Sequence, residues 1–221
     1  MIGINLLSNA LNEPDREGRF YGVAIAQVTN NKDEKELGRI KVKFPWLSDT
    51  DESFWARVVT PMAGNGYGIY FLPQVGDEVL VAFEHGMIEF PYILGALWNG
   101  IDKPPDINSD GENNKRIIKS RSGHIIRLDD TKGKEKIEII DKSGNNSIVV
   151  RPKDPKDPKV PSITITADAN IEIESKNGKL KLSGQSIEID SKAEITIKAS
   201  QNLDLKAGLE LNIKGNMVNI N

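Results

Sequence analysis

The sequence predicts an all-β protein in two parts: a small antiparallel barrel, followed by an elongated β-structure that several chains build together. Two observations support this division. All 13 aromatic residues lie between Phe20 and Trp98, so only the first part can have an aromatic core. From Ile163 onwards a unit of two aliphatic residues around one other residue recurs about every eight residues. Such alternation is typical of a β-strand with one buried face.

Eight aliphatic pairs make up the repeat. They are Ile163 and Ile165, Ile171 and Ile173, Leu180 and Leu182, Ile187 and Ile189, Ile195 and Ile197, Leu203 and Leu205, Leu211 and Ile213, and Val218 and Ile220. A strand of this length is not stable alone, and repeats bury their apolar stripe only against neighbours. One β-helical coil needs roughly 18 residues or more, so an octad cannot close a coil by itself. Three chains together can close it, and we therefore predict that these sixteen residues form the core of a trimer.

The first part of the chain reads as a barrel of short strands. Residues 38–46 alternate cleanly, which predicts Ile40, Val42 and Phe44 on the inside. The other predicted strands cover residues 20–28, 54–59, 76–83 and 90–98, with a flexible glycine-rich loop at 64–68. A hairpin-like turn is expected at His85 and Gly86. Five short strands joined by glycine-rich turns match a partly open Greek-key barrel of the OB type.

These patterns predict four segments. Residues 1–19 form an N-terminal arm or short helix, 20–100 the OB-fold domain, 101–116 a polar linker with two prolines, and 117–221 the needle. Within the needle, 117–162 is expected to be an irregular lead-in and 163–221 the regular octads. Residues 152–161 contain four prolines and are predicted to loop out, because proline cannot donate to a sheet.

Composition predicts no catalytic, cofactor-binding or metal-binding residue. The chain has no Cys and only His85 and His124, so a zinc site would need carboxylates from scattered loops. The pairs Asp129 with Asp130 and Glu84 with Glu89 read as solvated turns rather than the acid–base pair of a glycoside hydrolase. We therefore predict that the protein is not an enzyme. The net charge is −3, and nothing resembles a signal peptide or a long apolar run, which predicts synthesis in the cytoplasm.

Nucleic-acid binding, which is common among OB folds, is not predicted here. Residues 20–100 contain six Lys and Arg against ten Asp and Glu. Phosphate binding requires a basic groove, and this balance has the opposite sign.

Several motifs in the same order resemble the central spikes of contractile tails. They are Gly22-Val-Ala-Ile-Ala-Gln-Val28, Gly38-Arg-Ile-Lys-Val-Lys-Phe-Pro-Trp46, Leu72-Pro-Gln-Val-Gly-Asp-Glu-Val-Leu-Val-Ala-Phe83, Pro91-Tyr-Ile-Leu-Gly-Ala-Leu-Trp98 and Arg121-Ser-Gly-His-Ile-Ile-Arg-Leu-Asp-Asp130. That family includes the phage baseplate assembly protein V and the valine-glycine-repeat spike of type VI secretion. The resemblance implies a homotrimer, in which three OB domains form a collar and three chains intertwine into a triple-stranded β-helix.

The resemblance also implies a function and partners. We expect a structural central spike, a membrane-piercing needle that is made in the bacterial cytoplasm and incorporated into a virion or injection particle. Secretion-system spikes have a hub domain ahead of the OB fold, whereas only 19 residues precede it here, so a separate hub protein is expected above the collar. Met217, Asn219 and Asn221 are the expected surface for a tip-capping protein, and contact with the target membrane is expected to be transient.

Two alternatives remain open at the level of sequence. One is a trimeric adhesive or receptor-binding tail fibre, and the other is a carbohydrate-binding OB module. Receptor-binding fibres usually end in a globular head, whereas this sequence ends in bare repeats. The sequence also leaves open whether the particle is a phage, a tailocin, a secretion system or another injection device.

Overall fold

The computed structural model describes residues 18–47, 51–153 and 162–219. These residues form two compact units, one up to Asp168 and the other from Ala169. Most of the predicted arm at 1–19 and of the proline-rich loop at 152–161 lies outside the described residues, as do Ile220 and Asn221. Within the described ranges, no helix has the length and apolar character needed to span a membrane.

The first unit begins with a closed five-stranded barrel. Its strand order is β2-β1-β6-β7-β3, with antiparallel pairing except between β3 and β7. An isolated bridge between Ile40 and Ala56 connects the segments ahead of β2 and β3 and so closes the sheet. The barrel strands are β1 (Val23–Asn30), β2 (Lys41–Lys43), β3 (Arg57–Val58), β6 (Glu78–Phe83) and β7 (Pro91–Ala96), and the β3–β6 connection carries a hairpin of β4 (Ala63–Gly64) and β5 (Tyr67–Gly68). The prediction of an all-β chain with an OB-type barrel is confirmed.

The hydrophobic core lies inside this barrel. The predicted inward residues Ile40, Val42 and Phe44 are all buried. In β1 the small side chains of Ala24 and Ala26 point inward and the larger neighbours point outward, because successive side chains alternate between the two faces of a strand. All buried hydrophobic side chains of the described residues belong to the barrel.

A second five-stranded sheet follows the linker, and we call it the meander. Its strands pair in sequential order and all are antiparallel. They are β8 (Lys115–Lys119), β9 (Ile125–Asp129), β10 (Lys136–Ile140), β11 (Ser147–Val150) and β12 (Ile163–Thr166). The sequence predicts an irregular lead-in over 117–162, and its described part is instead regular. Three turns explain the difference, since Gly123, Gly133 and Gly144 have φ of 104°, 75° and 79° and reverse the chain every ten or eleven residues.

The second unit contains the octads. Residues 169–219 contain no strand that is hydrogen-bonded within the chain, and the last such strand, β12, ends at Thr166. The sequence predicts short strands here. An isolated strand leaves its backbone groups unpaired, and one chain supplies no neighbouring strand to these octads, so the predicted strands do not form within a single copy.

Candidate assembly surface

One face of the meander consists of exposed aliphatic side chains. Along each strand, every second side chain points to this face. The aliphatic members are 38% to 64% exposed. They are Ile118, Ile126, Leu128, Ile137, Ile139, Ile148, Val150, Ile163 and Ile165. We call this set the apolar face.

The strand register aligns these side chains in two rows across the sheet. Ile118 pairs with Ile126, Ile126 with Ile139, and Ile139 with Ile148. Ile148 pairs in turn with Ile165, so each of the five strands contributes one isoleucine to the first row. The second row contains Arg116, Leu128, Ile137, Val150 and Ile163. The isoleucine row lines a shallow groove of about 500 Å³.

The opposite face of the meander carries a buried ion network. Glu138 is only 6% exposed, and its carboxylate accepts hydrogen bonds from Arg127 Nε (2.7 Å) and is paired with Lys136 Nζ (2.9 Å). Burial alone raises the pKa of Glu138, but the hydrogen bonds from Lys136 and Arg127 outweigh it and hold that pKa below its ordinary value. The meander therefore buries a carboxylate on one face and exposes a row of five isoleucines on the other, which is the reverse of an ordinary monomeric sheet.

An aliphatic face of this kind is suited to bind another protein surface. It offers a small ligand little polar chemistry for orientation, whereas burial of each aliphatic side chain contributes about 1.5–3 kcal/mol. Contiguous exposed patches of this extent usually mark protein–protein contacts. The regular cross-strand spacing also fits a second β-layer about 10 Å away.

The predicted trimer-core residues divide between the two units. Ile163 and Ile165 lie in β12 on the apolar face. The other described members lie in the second unit, where a single chain leaves them 49% to 68% exposed instead of burying them. They are Ile171, Ile173, Leu180, Leu182, Ile187, Ile189, Ile195, Ile197, Leu203, Leu205, Leu211, Ile213 and Val218. Ile220 is outside the described residues.

Within six octads, the second member of the aliphatic pair is more exposed than the first. The first members, from Ile171 to Leu211, are 53% to 57% exposed, and the second members are 60% to 68% exposed. The second members are Ile173, Leu182, Ile189, Ile197, Leu205 and Ile213. One chain provides no second layer over these side chains, so their burial requires sister chains and stays a prediction.

The predicted tip surface is described in part. Met217 and Asn219 are exposed, and Asn221 is outside the described residues. Exposure is what a tip-capping surface requires, but it does not distinguish a capped tip from a bare one. The binding of a tip-capping protein therefore stays a prediction.

Seven residues of the apolar face, all before Ile163, were missed by the sequence prediction. The reason is that four strands contain an aliphatic doublet, which makes both faces look apolar: Ile117-Ile118, Ile125-Ile126, Ile139-Ile140 and Val149-Val150. Alternation therefore does not reveal which member faces outward. The spacing of Gly123, Gly133 and Gly144 was the usable signal, because glycine turns every ten or eleven residues indicate an antiparallel meander.

The two histidines and the acidic pairs take part in turns. His85 lies in the 3-10 turn Glu84–Gly86 with φ of 51°. The backbone N–H of His124 donates to Ser120 Oγ (3.0 Å) at the β8–β9 turn. The Thr131 hydroxyl donates to Asp129 (2.6 Å) and lowers the pKa of that carboxyl. Across the described ranges, no three His, Cys, Asp or Glu side chains are grouped so that they could hold a metal ion.

Comparisons with known proteins match the barrel, and some of the matches extend over about half of the chain. Residues 24–98 match the family described as the type VI secretion system/phage-baseplate injector OB domain. The chain is 32% identical over 133 residues to the type VI secretion system spike protein VgrG4b of Pseudomonas aeruginosa, a match that covers 54% of this chain and 16% of that protein. These findings confirm the resemblance predicted from the sequence.

Two relatives from Vibrio cholerae give the same result. The chain is 36% identical over 101 residues to the actin cross-linking toxin VgrG1, covering 42% of this chain and 9% of that protein. It is 34% identical over 100 residues to the type VI secretion system spike protein VgrG3, covering 42% of this chain and 10% of that protein. The matches thus span 16% or less of the length of these three relatives.

Proposed function

We propose that this chain is the structural central spike of an injection particle or phage tail baseplate and that it works as a homotrimer. The match of residues 24–98 to the injector OB domain and the likeness to VgrG spike proteins support this proposal. One observation carries the proposal. The first aliphatic pair of the octads, Ile163 and Ile165, lies on the apolar face of the meander. The aliphatic stripe of the octads therefore begins on this exposed sheet face. The same kind of partner surface can bury both the apolar face and the octad stripe.

Sister chains are the proposed partner surface that buries the apolar face and the octad stripe. In the proposed trimer, the three apolar faces point at a common axis, and the octads continue as an intertwined triple-stranded β-helix. Side chains at such an axis must be slim, and the apolar face contains only Ile, Leu and Val apart from Arg116. The absence of aromatic residues after Trp98 fits the same requirement.

The proposed role is mechanical rather than enzymatic. Interlocked chains cannot separate one strand at a time, so resistance to force is a matter of unfolding rate rather than of equilibrium stability. In this proposal, the OB collar attaches to a separate hub protein, the C-terminal end binds a tip-capping protein, and the needle contacts the target membrane transiently. The chain is made in the bacterial cytoplasm and acts after incorporation into the particle.

The mass of the purified full chain in solution tests the trimer. Light scattering should give about 73 kDa, three times the chain mass of 24.4 kDa. Mixing two differently tagged preparations should give no mixed trimers over hours, because interlocked chains exchange only by unfolding. A stable 24.4 kDa species at micromolar concentration would overturn the trimer and the piercing role with it.

The proposal that the chain has no lytic activity has a separate test. The purified trimer is applied to a peptidoglycan zymogram next to a lysozyme standard. We expect clearing by the standard alone. Clearing by the pure protein would show that the chain is an enzyme and would contradict a purely structural role.

A further inference from the structure

We propose that Asn65, at the tip of the β4–β5 hairpin, is a site of spontaneous deamidation. The reaction converts the side-chain amide into a carboxylate without an enzyme, because the backbone nitrogen of Gly66 is the nucleophile. The inference stands on the sequence and on the geometry of the hairpin. It does not depend on the proposed function of the chain.

The chemistry is an intramolecular substitution at the side-chain carbonyl. The backbone nitrogen of Gly66 loses its proton and forms a bond to Cγ of Asn65, and the bond from Cγ to the amide nitrogen breaks. That nitrogen takes up a proton and leaves as ammonia, so that a cyclic succinimide remains. Water then opens the ring at either carbonyl and gives aspartate or isoaspartate. The reaction consumes water, releases ammonia and requires no oxidant or reductant.

The glycine after Asn65 favours this attack for a steric reason. A side chain on the following residue crowds the backbone nitrogen, whereas glycine has no Cβ. Asn65 and Gly66 are the two residues between β4 and β5, and Gly66 has φ of 76°. A Cβ built on Gly66 would meet nothing within 4 Å. The space around the nucleophile is therefore open.

Neither reacting group is fixed by a hydrogen bond. Asn65 is exposed, as is every residue of 61–70. Within the described ranges, no hydrogen bond is made by the Asn65 side chain or by the N–H of Gly66. The side chain is therefore free to change rotamer until Cγ meets the backbone nitrogen.

The hairpin around Asn65 is held by few contacts. Strands β4 and β5 pair at two positions, and beyond them the N–H of Ile69 donates to Met62 O (3.0 Å). All four strand residues are exposed. Segments with so little buried surface open locally at a small fraction of the global free energy of unfolding. Rearrangement of the tip toward the succinimide therefore does not require unfolding of the barrel.

The pair Asn99-Gly100, just after the barrel, is an internal comparison. A Cβ on Gly100 would also meet nothing within 4 Å, so the nucleophile is equally open. The Asn99 amide is held, however. Its Oδ1 accepts from the N–H groups of Ile101 (2.8 Å) and Asp102 (2.7 Å), and its Nδ2 donates to Asp102 Oδ2 (3.3 Å). These bonds oppose rotation of the amide, so Asn99 should react more slowly than Asn65.

The product differs from the parent in both charge and backbone. Residues 58–76 contain no charged residue, so deamidation places a carboxylate in an uncharged segment. Isoaspartate also adds a methylene to the backbone of a two-residue turn, and the length of such a turn sets the strand register. The hairpin lines a groove of about 650 Å³ together with Tyr70 and Phe71. Deamidation therefore alters one wall of this groove as the protein ages.

Incubation of the purified full chain at mildly alkaline pH tests the proposal. Site-resolved mass spectrometry follows the conversion of amide to acid at Asn65 and Asn99 in the same sample. In the folded protein we expect Asn65 to react about tenfold faster, because hydrogen bonds of ordinary strength protect the other amide. In urea both sites lose their structure, and the two rates should agree within about twofold.

Asn65→Gln is the matched control, because it keeps an amide but lengthens the side chain and so disfavours ring closure. Isoelectric focusing of the parent should show an acidic species that accumulates as Asn65 reacts, and the variant should accumulate it more slowly. Equal accumulation in parent and variant would overturn the proposal. The same conclusion follows if Asn99 reacts as fast as Asn65 in the folded protein, or if Asn65 reacts only after unfolding.

Discussion

The barrel and the meander are both five-stranded sheets with regular alternation, yet they bury opposite kinds of side chain. Strand β1 buries Ala24, Ala26 and Val28, and β6 and β7 complete a hydrophobic interior that includes Phe83. Strand β10 buries Glu138 and exposes Ile137 and Ile139. The difference shows that alternation marks the two faces of a strand but does not identify what covers each face.

Closure explains the difference. The Ile40–Ala56 bridge closes the barrel, so every inner side chain meets another strand of the same chain. The meander stays open, with β8 and β12 as its edges. Strand β8 carries Lys115, Arg116 and Lys119, and such charges discourage pairing at an edge. Strand β12 reads Ile-Thr-Ile-Thr and leads into the octads, so it is the edge at which a sister chain is expected to pair.

The largest effect is expected from a charge in the apolar stripe of the octads. Ile195→Asp places three carboxylates near the axis of the proposed trimer, where they have no partner, and should abolish the trimer. Thr196→Asp adds the same charge to the alternate face and should leave the trimer intact. Light scattering should show a fall from about 73 kDa to 24.4 kDa for the first variant alone. A trimer for both variants would contradict burial of the stripe.

Two alanine substitutions test whether the side chains of the barrel and of the meander are buried within one chain or between chains. Ile93→Ala removes a buried side chain from the barrel and should lower the free energy of unfolding by about 2–5 kcal/mol. Ile139→Ala should barely change the barrel transition, because Ile139 lies on the exposed apolar face, but should weaken the trimer. Urea unfolding followed by tryptophan fluorescence reports the barrel, which contains all three tryptophans. Equal loss of barrel stability in both variants would contradict the comparison.

Removal of the buried carboxylate should destabilise the meander by a smaller amount. Glu138→Ala leaves Arg127 and Lys136 without their shared partner, at a cost of about 1–3 kcal/mol. Glu138→Gln keeps an acceptor of the same shape and should cost less. Hydrogen exchange of the β9 and β10 amides measures the loss. Unchanged protection in Glu138→Ala would mean that the network does not support the sheet.

The smallest effect is a loss of stability in acid. Hydrogen bonds from the Asn146 N–H and the Ser143 hydroxyl lower the pKa of Asp141 from 3.8 to about 2. A lowered folded-state pKa stabilises the fold above the unfolded value, and this stabilisation is lost as the pH falls from about 4 to about 2. Asp141→Asn should reduce the acid dependence of the melting temperature over that range. An identical pH profile in the variant would show that this carboxylate does not contribute.

The sequence by itself was sufficient for the all-β class and for the barrel interior. Ile40, Val42 and Phe44 alternate with Arg39, Lys41 and Lys43, so only one assignment of faces is possible. The motifs that resemble contractile-tail spikes were also recognisable in the sequence, and the comparisons confirmed this resemblance. The octad stripe was visible in the sequence as well, and its burial between chains stays a prediction.

Only the tertiary structure decided which side of the meander is apolar and exposed. Doublets such as Ile117-Ile118 and Ile139-Ile140 are compatible with either orientation of the strand. Pairing between strands resolves the choice, because a shift of one residue moves every side chain to the other face. The register that pairs Glu138 with Arg127 places the five isoleucines in one outward row. Local sequence specifies a strand, whereas the orientation of its faces depends on contacts with strands distant along the chain.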